Sequence, residues 1–272
     1  MRRHSDSLCA AISDSLRAEI RASIRELIAY HRRAMSQRLA LPLHLQAISI
    51  DLDDTLWPVA PVIARADAAM KDWLRLRAPA TLAAPDGASW RALRAAVASE
   101  RPDWVHDLSA MRRETLRRAL ASAGDDPALA EPAFEVFFAE RQRVDLYDDV
   151  LPALERLAAR WPIVALSNGN ADVHRVPGLG RYFHAALSAR ELGLAKPAAA
   201  AFVQACRRAD ADPAHTLHIG DDVALDVDGA LDAGLQAAWL RRADLVHAAS
   251  PRGAPQHVVA SLTELADRLG AG

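Results

Sequence analysis

The sequence predicts an α/β protein built on a parallel sheet, with an all-helical segment inserted after the first strand. Three observations carry this expectation. From about Asp148 onward, short apolar runs alternate with amphipathic stretches, the rhythm of strands covered on both faces by helices. Polar side chains cluster directly after three of the apolar runs. Residues 58–147, by contrast, hold no strong strand pattern.

The chain begins with an extension, residues 1–44, read as helical or disordered. Ile12, Leu16, Ile20, Ile24, Leu27 and Ile28 recur at helical spacing with arginines between them. Asp6, Asp14, Glu19 and Glu26 argue against an organelle-targeting segment, because such segments are poor in acidic residues. Met35 offers an alternative start of translation. The core is expected over 45–57 and 148–272, and the helical domain over 58–147.

AISIDL, residues 47–52, is a β-branched and apolar run that reads as a buried strand ending in carboxylates. The insert divides into helical pieces at Val62–Leu76, Ser89–Ser99, Leu108–Ala123 and Glu131–Arg143. Pro79, Pro85, Gly87, Pro102 and the GDDP turn at 124–127 separate them. The alternation then runs DVLPALERLAAR (helix), PIVALSN (strand), KPAAAAFVQACRRA (helix), HTLHIGDD (strand), DVDGALDAG (helix), QAAWL (strand) and SLTELADRL (helix). In such sheets ligands bind at the carboxyl ends of the strands, near a topological switch point. Asp51/Asp53, Ser167/Asn168 and Asp221/Asp222 all fall there.

Composition narrows the class of partner. The 272 residues are 51% hydrophobic, enough to bury a sizeable core, and the formal net charge of −2 exerts no global pull toward nucleic acid or an anionic membrane. A small-molecule partner is therefore expected. No apolar run approaches the roughly 18–20 residues of a membrane span. The two cysteines, Cys9 and Cys206, are too few and too far apart for a disulfide framework or zinc cluster, and suit a reducing cytoplasm.

Asp51 and Asp53 repel each other unless a cation or proton intervenes, and a magnesium ion, with its preference for hard oxygen ligands, resolves that conflict. The alternative is an Asx-turn or helix cap, with Asp53 or Asp54 capping the next element. Ser167 and Asn168 precede a Gly-containing turn that can hold phosphate oxygens, or that simply ends a strand. Lys196 is either a solvated charge or the cation that a dianionic phosphate needs among carboxylates. Asp221 and Asp222 end a strand and Asp226 begins the next helix, where it also complements the helix dipole. His215 and His218 read as structural.

Taken in order, DLDDTL, LSN, Lys196 before Pro197, and GDD followed by Asp226 resemble the four motifs of the haloacid dehalogenase superfamily from about Ala47 to the end of the chain. The resemblance implies a Rossmann-like core and identifies the insert as a C1 cap. It makes Asp51 the nucleophile of an Mg²⁺-dependent phosphatase and Asp53 its general acid/base. The implied metal ligands are the Asp51 carboxylate, the Asp53 backbone carbonyl and Asp221, with Asp226 in support. Asp222 stands where many relatives carry Ser or Thr, so its part in the metal site is left open. Ser167, Asn168 and Lys196 would hold the phosphoryl group. Haloacid dehalogenases themselves lack an Asp at the position of Asp53, which favours phosphate chemistry.

A narrower resemblance runs through DLDDTLWPVAPVI, HDLSAMRRETLRRAL, WPIVALSNGNA, GLGRYF, LHIGDDVALDVDGAL and GLQAAWL. These segments are similar to the bacterial phosphatases of flavin mononucleotide and 5-amino-6-(5-phosphoribitylamino)uracil phosphate, which implies a place in riboflavin metabolism. Trp57 for stacking and Arg112 for a polar group are the candidate cap contacts. A phosphomutase of the same fold and a non-catalytic binding protein are the competing readings.

Overall fold

The computed structural model describes residues 44–83 and 87–271. The reading of the N-terminal extension, Met35 included, falls outside the described residues apart from His44. Six strands form one sheet: β1 (Ala47–Ile50), β2 (Ile163–Ser167), β3 (Ala185–Ser188), β4 (Thr216–Gly220), β5 (Gln236–Leu240) and β6 (His257–Val259). Their order is β3-β2-β1-β4-β5-β6, with every neighbouring pair parallel. The chain leaves β1 toward one edge and returns to its other side with β4, so the switch point lies between β1 and β4. Asp51 comes directly after the first of these strands and Asp221 after the second.

Alternation along the strands splits the core into two layers. Ile48 and Ile50 of β1 and Ile163 and Ala165 of β2 face α6 (Val150–Ala158) and α10 (Leu262–Arg268), through Leu154, Leu157, Leu262 and Leu265. Val164 and Leu166 point the opposite way, onto Phe202, Ala205 and Cys206 of α8 (Ala199–Arg208). Strands apolar on both faces are what a sheet buried on both sides demands.

Between β1 and α6 the described chain is helical: α1 (Val59–Arg77), α2 (Pro79–Ala83), α3 (Gly87–Glu100), α4 (Leu108–Ala123) and α5 (Ala130–Arg141), with short 3₁₀ turns at 102–104 and 127–129. Ala66, Met70 and Leu74 recur every fourth residue of α1 and meet Leu116 and Leu120 of α4 and Phe134 and Phe137 of α5 in an apolar cluster of their own. Asp107 caps α4 by accepting from the Ala110 N–H, and Gly124 ends it at φ +82°, in the left-handed region that glycine occupies without strain. Residues 45–272 nevertheless form a single compact unit. Among the described residues, no helix is long and apolar enough to cross a membrane.

Three elements depart from the sequence expectation. β3 and β6, four and three residues long, have no counterpart in it. The segment after β4 is a turn of π-helix, Val223–Asp228, and then the short α9 (Gly229–Asp232), rather than one α-helix. The wider π turn begins at Asp222, whose carboxylate accepts from the N–H groups of Ala224 and Leu225.

Candidate active site

At the carboxyl end of β1, Asp51 points at Lys196 and is buried. The lysine Nζ lies 2.5 Å from Asp51 Oδ1 and 2.6 Å from Asp226 Oδ1. Lys196 is 4% exposed and Asp226 1%, so neither charge is shared with bulk water. Asp51, Asp221 and Asp226 each offer a carboxylate oxygen within 4.8 Å of the others. One lysine thus stands against three carboxylates.

Charge accounting decides how these groups ionise. Burial works against an anion at Asp226, yet Lys196 and His218 outweigh it and hold the carboxyl well below the usual range. Burial also opposes a charged Lys196, but Asp226 and Asp51 keep it protonated. Asp51 goes the other way: burial raises it, Lys196 only partly opposes the rise, and Asp226 adds to it. Asp221 is pushed up to about 7, chiefly by burial and then by the Asp226 charge. One ammonium cannot neutralise three clustered carboxylates.

The surroundings hold these groups in place. His218 Nε2 lies 3.2 Å from Asp226 Oδ1 and its Nδ1 2.9 Å from the Ser49 hydroxyl. A carboxylate only accepts, so Nε2 carries the proton and the serine donates to Nδ1. Asp226 Oδ2 accepts from the Asp222 N–H at 3.0 Å. Gly220 makes that approach possible, since a Cβ there would sit 2.3 Å from Asp226 Cγ. Thr55 donates to Asp221 Oδ1 at 2.9 Å, and Trp239 donates to the Asp221 carbonyl at 3.0 Å. The Thr55 carbonyl is gripped in turn by the buried Arg242, which also pairs with Asp149 at 2.7 Å.

Asp53 sits apart from the lysine cluster. Its Oδ1 accepts from Trp57 Nε1 at 2.9 Å and from Arg141 Nη2 at 2.5 Å, and its Oδ2 accepts from the same Arg141 nitrogen at 2.6 Å. Oδ2 faces the turn after β2: a Cβ added at Gly169 would lie 2.4 Å from it and 3.2 Å from Ser167 Oγ. The neighbouring Asp54, at φ +58°, accepts from the Val59 N–H and starts α1. The bond to the first N–H of the helix thus falls to Asp54, which leaves Asp53 for the cleft.

Several expected roles change. Trp57 is fully buried in the apolar cluster around β1, with no ring face left for stacking on a ligand. Arg112 pairs with Asp67 at 2.6 Å and lies 3.6 Å over the Phe137 ring, lining a small pocket inside the insert with Trp90 and Arg94. The Asn168 side chain is spent on the Lys196 backbone, accepting its N–H at 2.8 Å and donating to its carbonyl at 2.9 Å. Asp222 caps the π turn, and its carboxylate does not join the cluster of Asp51, Asp221 and Asp226. Ser167 keeps a hydroxyl proton to donate, because its oxygen accepts from the Gly169 N–H. Arg141, Thr55 and Arg242 are residues of the site that the sequence reading missed. Only Thr55 carried a signal, as the threonine of DLDDTL.

A cleft of about 700 Å³ opens beside these groups, lined by Ser167, Gly169, Asn170, Phe138, Ser109 and Arg190. Ser109 of α4 bonds Asn170 at 3.1 Å, and Gln142 ties the end of α5 to the same loop through Asn170 O and Asp172 N. The insert is thus fastened over the strand ends.

A doubly wound parallel sheet with an aspartate-lysine cluster at its switch point and a helical insert after the first strand defines a hydrolase class. Residues 45–234 match the family described as haloacid dehalogenase-like hydrolase, and the chain belongs to that family. It is 32% identical over 227 residues to the 5-amino-6-(5-phospho-D-ribitylamino)uracil phosphatase YigB of Escherichia coli (strain K12), covering 81% of this chain and 94% of that protein. It is 32% identical over 159 residues to a phosphoserine phosphatase of Thermus thermophilus, covering 57% of this chain and 63% of the other. Among solved structures, a 2-haloacid dehalogenase from Pseudomonas syringae superposes with a TM-score of 0.77 at 38% identity, over 83% of this chain and 98% of that one.

Proposed function

We propose that the protein is a magnesium-dependent phosphatase of small phosphomonoesters that works through an aspartyl-phosphate on Asp51, with 45–57 and 148–272 as core and 58–147 as cap. Asp53 carries this reading. It is a second carboxylate near the nucleophile, with one oxygen turned toward the Ser167–Gly169 turn. An alkoxide leaving group needs a proton, and Asp53 is the acid in reach. A departing halide needs none, which separates this reading from the dehalogenation named for the Pseudomonas structure.

The residues present fit a divalent cation. Their donors are all oxygens, and three carboxylates against one ammonium leave two negative charges uncompensated. Asp51 and Asp221 would hold Mg²⁺ together with the Asp53 backbone carbonyl, while Asp226 fixes Lys196. When bound, the ion supplies charge neutralisation between a carboxylate and a phosphate dianion. Asp51 attacks phosphorus as Asp53 gives its proton to the leaving oxygen. Lys196 and the Ser167 hydroxyl offset charge on the equatorial oxygens. In the second half Asp53 takes the proton of the water that hydrolyses the aspartyl-phosphate.

The proposed substrate class is a ribityl 5′-phosphate on a flat heterocycle, supported by the name of the Escherichia coli relative. Phe138, which lines the cleft, replaces Trp57 as the aromatic contact in this reading. The buried thiol of Cys206 suits a cytoplasmic enzyme. The test is phosphate release from flavin mononucleotide, the ribitylamino-uracil phosphate, phosphoserine and sugar phosphates, with Mg²⁺ and with chelator, alongside chloride release from 2-chloropropionate. Metal-dependent phosphate release is expected. Flat rates across all esters would sink the reading, and chloride release would replace it with dehalogenation.

A further inference from the structure

Arg141 is the residue of this site that neither the sequence pattern nor the proposed chemistry uses. It is the last residue of α5, 88 positions from Asp53, and is only 1% exposed. Burying a guanidinium is costly unless every donor is satisfied. Here Nη2 bonds both oxygens of Asp53, while Nη1 is buried with no hydrogen-bond partner. The chain therefore holds a costly electrostatic arrangement whose hydrogen bonds all go to Asp53. The base of the arginine is fixed too, because Gln142 bonds Asn170 O and the Asp172 N–H, in the loop that carries Gly169.

The two oxygens of Asp53 are not equivalent. Oδ1 accepts from both Trp57 and Arg141, whereas Oδ2 accepts from Arg141 alone and lies against Gly169 beside the Ser167 hydroxyl. We propose that Arg141, from the insert, is the positioning residue for Asp53: with Trp57 it pins Oδ1 and presents Oδ2 as the oxygen that exchanges the proton with the leaving group. This rests on the phosphomonoesterase reading above. In the step concerned, the Asp51–phosphorus bond forms as the bond from phosphorus to the leaving oxygen breaks. The Oδ2 proton passes to that oxygen. The electron pair left on Asp53 becomes carboxylate charge, which Arg141 and Trp57 stabilise. Removing Arg141 should then slow leaving-group departure only where the leaving oxygen needs a proton, while hydrolysis of the aspartyl-phosphate slows equally for every ester.

The experiment uses the full chain with Mg²⁺ and two probes: flavin mononucleotide, whose leaving group is an alkoxide, and 4-nitrophenyl phosphate, whose leaving group departs without a proton. For Arg141→Met, kcat/KM on the alkyl ester, which reports the first half-reaction alone, should fall about 100-fold, the usual contribution of a positioned acid. kcat/KM on the aryl ester should fall no more than about threefold, since departure of its leaving group owes little to proton transfer, whereas kcat on both esters also carries the Asp53-assisted hydrolysis of the aspartyl-phosphate. Arg141→Lys should recover part of the alkyl-ester rate, and it carries the comparison if the methionine variant does not fold. Equal losses of kcat/KM on the two esters, or an unchanged alkyl-ester kcat/KM, would overturn the assignment. Wild-type enzyme that releases phosphate from neither ester would instead remove the phosphatase reading, and this inference with it.

Discussion

Asn168 holds Lys196 by both sides of its backbone, accepting the lysine N–H at 2.8 Å and donating to its carbonyl at 2.9 Å. The amide at the end of β2 thereby sets where the loop before α8 enters the site and where the ammonium meets Asp51. Asn168→Ala removes both bonds while leaving every charged group in place. It should cost about 1–3 kcal/mol of stability. It should also lower kcat by roughly 100-fold, the scale of a misplaced reacting group. Urea melts and initial rates on the same preparation check both, and an unchanged kcat would show that Lys196 is placed by its ion pairs alone.

Asp221 provides a pH signature for metal binding. Its carboxyl is raised to about 7 from the ordinary 3.8, mainly by burial. Because the folded value lies above the unfolded one, its contribution to stability is fully present below about pH 4 and fades as pH rises through 7. Over the same range the ionised carboxylate becomes available to a cation. Thermal stabilisation by added Mg²⁺ should therefore grow from about pH 5.5 to about pH 8. Apparent affinity should fall at least about tenfold per pH unit below 7, as Asp221 releases its proton on binding the ion and the raised Asp51 adds to that release. A stabilisation independent of pH would exclude Asp221 as a ligand.

Asp51 is buried among like charges that Lys196 only partly offsets. Asn is its neutral isostere, so Asp51→Asn removes a repulsion as well as the proposed nucleophile. Turnover should be lost, by a factor of about 10⁴ or more, while the metal-free variant melts no lower than the parent. Near-normal rates in this variant would show that another residue attacks phosphorus.

Much of this architecture is legible in the sequence because local patterns encode it. β1, β2, β4 and β5 are apolar runs with a polar end, and the insert reads as helix because Ala66, Met70 and Leu74 recur at the period of one. β3, with the sequence AALS, has no β-branched residue and becomes a strand only through pairing with β2. The Lys196 cluster is foreseeable as a set of motifs, but its geometry is not. The Asn168 side chain looks free for phosphate until its two bonds to Lys196 are known, and the Asp222 carboxylate looks free for a metal until the π turn claims it. Arg141 carries no local signal. An arginine in the last turn of a helix ordinarily complements the dipole, and only the fold brings it to Asp53.

Gly169 marks how closely the insert and core are fitted around that carboxylate. A Cβ at this position would stand 2.4 Å from Asp53 Oδ2, 3.2 Å from Ser167 Oγ and 3.5 Å from Arg141 Nη2. The backbone of Gly169 is not in the left-handed region, so alanine adds no torsional strain and acts only by contact. The Oδ1 side of Asp53 is closed by Trp57 and Arg141, so the carboxylate cannot retreat without breaking a charged hydrogen bond in a buried setting, at about 1.5–3 kcal/mol. Gly169→Ala should accordingly leave the sheet intact and lower Tm by a few degrees. It should depress kcat/KM for an alkyl phosphate far more than kcat/KM for 4-nitrophenyl phosphate, the pattern expected of Arg141→Met. Gly169→Ala combined with Arg141→Met should then fall little below the worse single variant, because both act by displacing the same carboxylate. Additive losses in that double-mutant cycle would mean that glycine and arginine serve separate functions.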